Sequence, residues 1–151
     1  MNLSFRKATI EDLDTLVSYQ FNLAKETEAL ILDKNVLTSG ITNLLLDENK
    51  GVYWIISFES RDIACVMIQQ EWSDWRNGAV WWIHSVYVDK EFRKKGVFKK
   101  MYTFFKDKVK SSDALKGLRL YVDKTNITAI KTYDAIGMTR EHYDLYEWLE
   151  D

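Results

Sequence analysis

The sequence predicts an α/β (α+β-like) domain, a central mixed sheet flanked by helices, in the order β-α-α-β-β-β-α-β-α-β. Three observations predict it. Two early stretches carry apolar residues at helical spacing, a run of hairpin-linked strands follows, and strand and helix patterns alternate after about residue 90. A hairpin run followed by β-α-β needs antiparallel and parallel pairing in one sheet. At 151 residues the chain suits one domain, expected to span 1–151.

Leu3–Ala8 reads as the first strand. Thr9, with Glu11 and Asp12 behind it, signals a helix start whose early acids suit the positive helix end. Leu13, Leu16, Val17, Phe21 and Leu23 carry the helical period to about Lys25, and a second helix is expected over Asp33–Leu46. Gly51 opens the strand VYWIISFE, whose hairpin partner is IACVMIQQEW. Asn77-Gly78 marks a tight turn into the long strand AVWWIHSVYVD. Beyond a polar loop at 91–96, Val97–Lys110 is helical, with Phe98, Met101, Phe105 and Val109 on one face. Gly117-LRLYVD is expected as a strand, Asn126–Ala135 as a helix stopped by Gly137, and a last strand within Met138–Leu149.

Counting excludes several chemistries. The six glycines stand at least 11 residues apart, so no glycine-rich dinucleotide turn, phosphate loop or nucleophile elbow exists. One Cys and two His cannot build a Cys/His zinc site, and no metal is expected. The lone Cys65, within IACVMI, reads as a small core residue, and a chain without an internal disulfide suits a reducing compartment. The N-terminus reaches acids too soon for a signal peptide and no run of 18 apolar residues occurs, so a cytoplasmic protein away from membranes is expected.

Charge is distributed unevenly. The net charge of -2 hides residues 93–110, with eight Lys/Arg against one Asp, while the remainder holds 13 Lys/Arg against 22 Asp/Glu. Arg93-Lys94-Lys95-Gly96-Val97-Phe98 follows the buried strand Ser85-Val86-Tyr87-Val88. A basic, glycine-containing loop at a helix start gathers unpaired N–H groups and positive charge, which suits a diphosphate. A solvated charge run is the other reading of these residues alone.

A second stretch, Asn126-Ile127-Thr128-Ala129-Ile130-Lys131-Thr132-Tyr133 ahead of Gly137-Met138, narrows the choice. In order and spacing the two stretches resemble the GNAT N-acetyltransferase superfamily, with its Arg/Gln-x-x-Gly-x-Gly/Ala and Asn-x-x-Ala-x-x-x-Tyr motifs. The opening Phe5–Asp12 is similar to the family's first strand and helix entry. The resemblance covers nearly the whole chain, with 25–49 generic. It implies a GNAT-type fold and acetyl-CoA as acetyl donor. Backbone groups of Val86 and Val88 would pair with the pantetheine arm, and Arg93, Lys94, Lys95, Gly96, Val97 and Phe98 would hold the pyrophosphate. Asn126 would lie on the pantetheine side, and Tyr133 would protonate the departing thiolate, as a phenol can near neutrality. Two positions depart from the pattern. Phe98 replaces a small residue, so its side chain must turn away, and Asp89-Lys90 stands where proline is common in a chain that has none.

The acceptor side rests on residue chemistry. Glu71, at a strand end, and His84, mid-strand, are candidate bases for the amine proton, with a solvated acid and a core histidine as the alternatives. Trp72 and Trp75, beside Trp81 and Trp82 in one hairpin, suit a cationic amine together with Glu26 and Glu28. The same tryptophans would suit a homodimer interface. The expected activity is direct acetyl transfer from acetyl-CoA to a primary amine of a small molecule, peptide or protein. A non-catalytic acyl-CoA-binding domain is the alternative. A nucleic-acid-binding module is disfavoured, because the acidic remainder would repel a phosphate backbone.

Overall fold

A computed structural model describes residues 1–150. It forms two compact units, Met1–Arg119 and Leu120–Asp151. The first holds β1 (Leu3–Lys7), α1 (Leu13–Glu28), α2 (Lys34–Leu45), β2 (Val52–Phe58), β3 (Arg61–Ser73), β4 (Gly78–Val88), α3 (Val97–Lys110) and β5 (Leu115–Arg119). The second holds α4 (Ile127–Ala135). No helix among the described residues is long and apolar enough to cross a membrane.

The five strands lie in the order β1-β2-β3-β4-β5, antiparallel except for the β4–β5 pair. The mixed sheet expected from a hairpin run and a crossover is thus present. Glu59 and Ser60, both with positive φ, turn β2 into β3 as a two-residue hairpin of the kind that matches strand twist. Asn77, also at positive φ, closes a short 3-10 turn and releases the chain into β4.

Period-2 alternation divides the sheet into two apolar faces. Tyr53, Ile55, Cys65 and Tyr87 face α1 and α2, where Leu16, Tyr19 and Ile41 complete a core. Trp54 and Trp81 face the other way and meet Phe105 of α3 edge-on at 5.6 and 6.2 Å. Phe104 of α3 stacks on Phe5 of β1 at 4.2 Å, so α3 covers the opposite face as far as the first strand. Local signals set the helix bounds. Asp33 accepts from the N–H groups of Asn35 and Val36 at the start of α2, and α1 ends where Ala29 takes a left-handed conformation.

Two expectations need correction. The strand expected at Gly117-LRLYVD ends at Arg119, and the expected final strand within Met138–Leu149 does not form. Tyr143, Leu145, Tyr146 and Trp148 supply apolar surface there, but such a stretch becomes a strand only with a ladder partner and a surface to cover. Tyr143, Tyr146 and Trp148 remain largely exposed.

Candidate active site

The β4–β5 ladder covers only Ala79–Trp82, whereas β4 continues to Val88. Along the continuation β4 carries an extra residue. Between the pairs Met67↔His84 and Cys65↔Tyr87, Ser85 and Val86 oppose Val66 alone. Ser85 sits at φ 53, a left-handed conformation that costs a side-chain-bearing residue energy. Such a bulge bends a strand and shifts its alternation. Trp82, His84 and Tyr87 consequently lie on the face that carries α1, although His84 and Tyr87 are three apart. Val86 and Val88, expected to meet a pantetheine arm through their backbones, belong to this bent stretch.

β4 leads into the basic loop. After a 3-10 turn at Lys90–Phe92 the chain passes through Lys94 at φ 60 and Gly96 at φ 78, and Gly96 is the N-cap of α3. Glycine there permits the left-handed turn and supplies no side-chain acceptor to the helix start. A Cβ at Gly96 would meet nothing within 4 Å, so the approach to the α3 N-terminus is open on that side. Val97 is buried, Phe98 half-buried, and Lys94 and Lys95 are exposed, the Lys95 ammonium lying over the Phe92 ring at 5.4 Å. These residues fit a diphosphate: helix-start amides, a glycine that lets it approach, and two exposed cations.

Arg93 is placed differently. Its Nε donates to the Val88 carbonyl at 2.8 Å, its NH1 lies 2.8 Å from a Glu26 oxygen, and the guanidinium covers the Tyr87 ring at 5.3 Å. Lys90 adds a longer contact to Glu26 at 3.4 Å. Against the desolvation that raises it, this cationic company holds the Glu26 carboxyl below the usual range. Arg93, expected at the pyrophosphate, and Glu26, expected on the acceptor side, are thus joined to each other. Glu28 closes α1 and is exposed.

Glu71, Trp82 and His84 share the α1-facing side of the sheet. The Trp82 indole N–H donates to Glu71 Oε2 at 2.7 Å, while Arg119 NH1 lies 3.2 Å from Oε1. His84 stacks on Trp82 with ring centroids 5.9 Å apart and planes 4° from parallel. Burial lowers the His84 pKa from its ordinary 6.5, so the imidazole is neutral at neutral pH and able to accept a proton. Trp72 falls on the opposite face from Glu71, its neighbour in β3, and Trp72 and Trp75 are 64% and 88% exposed. The two candidate bases therefore sit together, and Trp72 does not share their surface.

In the second unit Asn126 caps α4, its Oδ1 accepting from Ala129 N at 3.1 Å. Tyr133 lies in the last turns of α4, and burial raises its phenol above the ordinary 10.

Sequence patterns did not mark Gln20, Ser85 or Arg119. Gln20 alone carried a signal, being a polar residue four positions after Leu16 on the apolar stripe of α1. Ser85 carries none, since serine is not a residue that predicts positive φ.

Comparison with known proteins agrees with this geometry. The model of the acetyltransferase (GNAT) family matches residues 15–138. The crystal structure of a possible acetyltransferase from Clostridium difficile 630 superposes with a TM-score of 0.91 at 44% identity, over 100% of this chain and 99% of that one. A predicted acetyltransferase with acetyl-CoA from Clostridium acetobutylicum gives 0.71 at 23% identity, over 99% and 95%. Glucosamine-6-phosphate N-acetyltransferase from Arabidopsis thaliana gives 0.70 at 21%, over 99% and 100%. The last two share the fold. No curated protein sequence matches the chain. A family match across 124 consecutive residues, from α1 through α4, settles the class: the chain belongs to the GNAT family and is an acetyl-CoA-dependent N-acetyltransferase.

Proposed function

We propose that the chain works as a single catalytic domain in the cytoplasm and moves the acetyl group directly onto a primary amine, with no covalent enzyme intermediate. The observation that carries this reading is the β4–α3 junction, where a bulged strand beyond its parallel partner runs into a glycine-capped helix start. Acetyl-CoA brings an activated thioester to that junction. The first-turn amides of α3, with Lys94 and Lys95, hold its diphosphate, and the backbones of Val86 and Val88 align the arm as an added strand would. Asn126 adds a contact on the pantetheine side.

Proton accounting assigns the other groups. The amine nitrogen bonds to the carbonyl carbon as the carbon–sulfur bond breaks. His84, neutral at neutral pH, takes the amine proton, and Tyr133, whose raised pKa keeps its proton in place, gives one to the sulfur. Glu71, engaged by Trp82 and Arg119, orients the indole and leaves negative charge beside a cationic acceptor. Trp72 and Trp75, exposed and at the far end of the hairpin, suit self-association into a homodimer better than this pocket.

A panel of amines tested for acetyl-CoA-dependent release of free CoA examines the reading. At least one amine should support turnover. Tyr133→Phe should then lower kcat about a hundredfold or more with acetyl-CoA affinity unchanged. Tight acetyl-CoA binding without turnover on any amine would leave only an acyl-CoA-binding domain.

A further inference from the structure

The strained residue of β4 is held by a buried polar group that the reaction scheme does not use. Gln20 of α1 is 7% exposed, and its side-chain amide donates to the Ser85 carbonyl at 3.0 Å and to the Cys65 sulfur at 3.4 Å. The Cys65 thiol adds a weaker contact to the same carbonyl at 3.7 Å. Two side chains from the α1-facing core, Gln20 and Cys65, thus converge on the one residue of β4 with positive φ.

A buried amide on an apolar helix stripe is unfavourable unless its donors are matched. The Ser85 carbonyl supplies the match only while the bulge exists. If β4 ran as a regular strand, Tyr87 would leave the core and Gln20 would lose its acceptor. The helix and the bulge therefore stabilise each other.

We propose that Gln20 is a positioning residue for acetyl transfer, its amide fixing the Ser85 carbonyl and thereby the bulge that presents the Val86 and Val88 backbones to the acetyl-CoA arm. This rests on the function proposed above for that strand. Gln20 touches neither donor nor acceptor; it acts through Ser85.

Gln20→Met keeps the shape of the side chain and removes its donors, and Gln20→Leu is carried alongside in case one variant fails to fold. Hydrogen exchange of the backbone amides at 84–88, in the ligand-free protein, is the readout independent of activity. Those amides should exchange at least tenfold faster in the variant while the amides of α3 keep their protection. Acetyl-CoA should bind about tenfold more weakly by calorimetry, and kcat should fall with the acceptor KM unchanged. Ser85→Gly in the Gln20→Met background should recover about fivefold of the lost affinity, because glycine adopts φ 53 without a Cβ clash. Unchanged exchange at 84–88, or no recovery with glycine, overturns the proposal. If acetyl-CoA binds the unaltered protein but no amine is acetylated, the catalytic reading fails while the exchange and binding arms still judge Gln20.

Discussion

Arg93 and Glu26 form an ion pair at 2.8 Å that ties the loop before α3 to the end of α1. The same guanidinium donates to the Val88 carbonyl, so one side chain spans the strand end, the helix end and the loop between. Both partners are partly exposed, which limits their coupling to about 1 kcal/mol or less. A double-mutant cycle with Glu26→Gln and Arg93→Ala, followed by urea unfolding, should give a coupling of that size that shrinks as salt rises. Strict additivity at low salt would mean that the two side chains do not act together.

In the Arg6–Asp12 pair the carboxylate is the more buried of the two acids. Asp12 accepts both terminal nitrogens of Arg6 at 2.8 Å and the Thr9 backbone N–H at 2.8 Å, locking β1 to the entry of α1. The Arg6 hydrogen bonds, opposed by burial and helped by Thr9, hold the carboxyl below its ordinary 3.8. A depressed carboxylate stabilises the fold fully above its unfolded pKa and loses that contribution as pH falls through the folded one. Asp12→Asn should cost about 1.5–3 kcal/mol at pH 7. The gap between the two proteins should narrow steadily below about pH 4. A gap that widens on acidification would refute the assignment.

Gly78 opens β4 against another part of the backbone. A Cβ there would lie 2.8 Å from the Ala114 carbonyl oxygen and 2.6 Å from two Lys116 side-chain carbons, while Ala79 N–H bonds that same carbonyl at 2.8 Å. The lysine can swing away, but the carbonyl is held. Gly78→Ala should therefore destabilise by about 1–3 kcal/mol. Gly117→Ala, with nothing within 4 Å, should stay within about 0.5 kcal/mol and serve as the control. Thermal melts of the two variants compare them directly.

Much of this architecture was legible because its signals are local. Asn77-Gly78 announced a turn, and the amphipathic stripe of α3 ran over Val97–Lys110 as expected. The basic loop and its glycine were readable for the same reason: helix-start chemistry needs only consecutive residues. What could not be read depends on distant partners. Arg93 finds Glu26 from another element, a pairing that no run of consecutive residues announces. Ser85 likewise meets Gln20 of α1, which no local pattern connects to it. The segment 138–149 failed in the opposite sense: its aromatic residues suit a strand, but pairing is not a property of one segment alone.

Cys65 bears on how this enzyme can be watched at work. It is the sole cysteine, fully buried, and burial pushes its thiol up to about 12. At pH 8 the reactive thiolate would then be on the order of one molecule in ten thousand. A thiol-reactive chromophore mixed with the folded protein therefore has one fast target, the CoA freed at each turnover, and the enzyme contributes almost no background. The slow reaction that remains measures how often the core opens, so one reagent reports catalysis on a short timescale and native-state breathing on a long one.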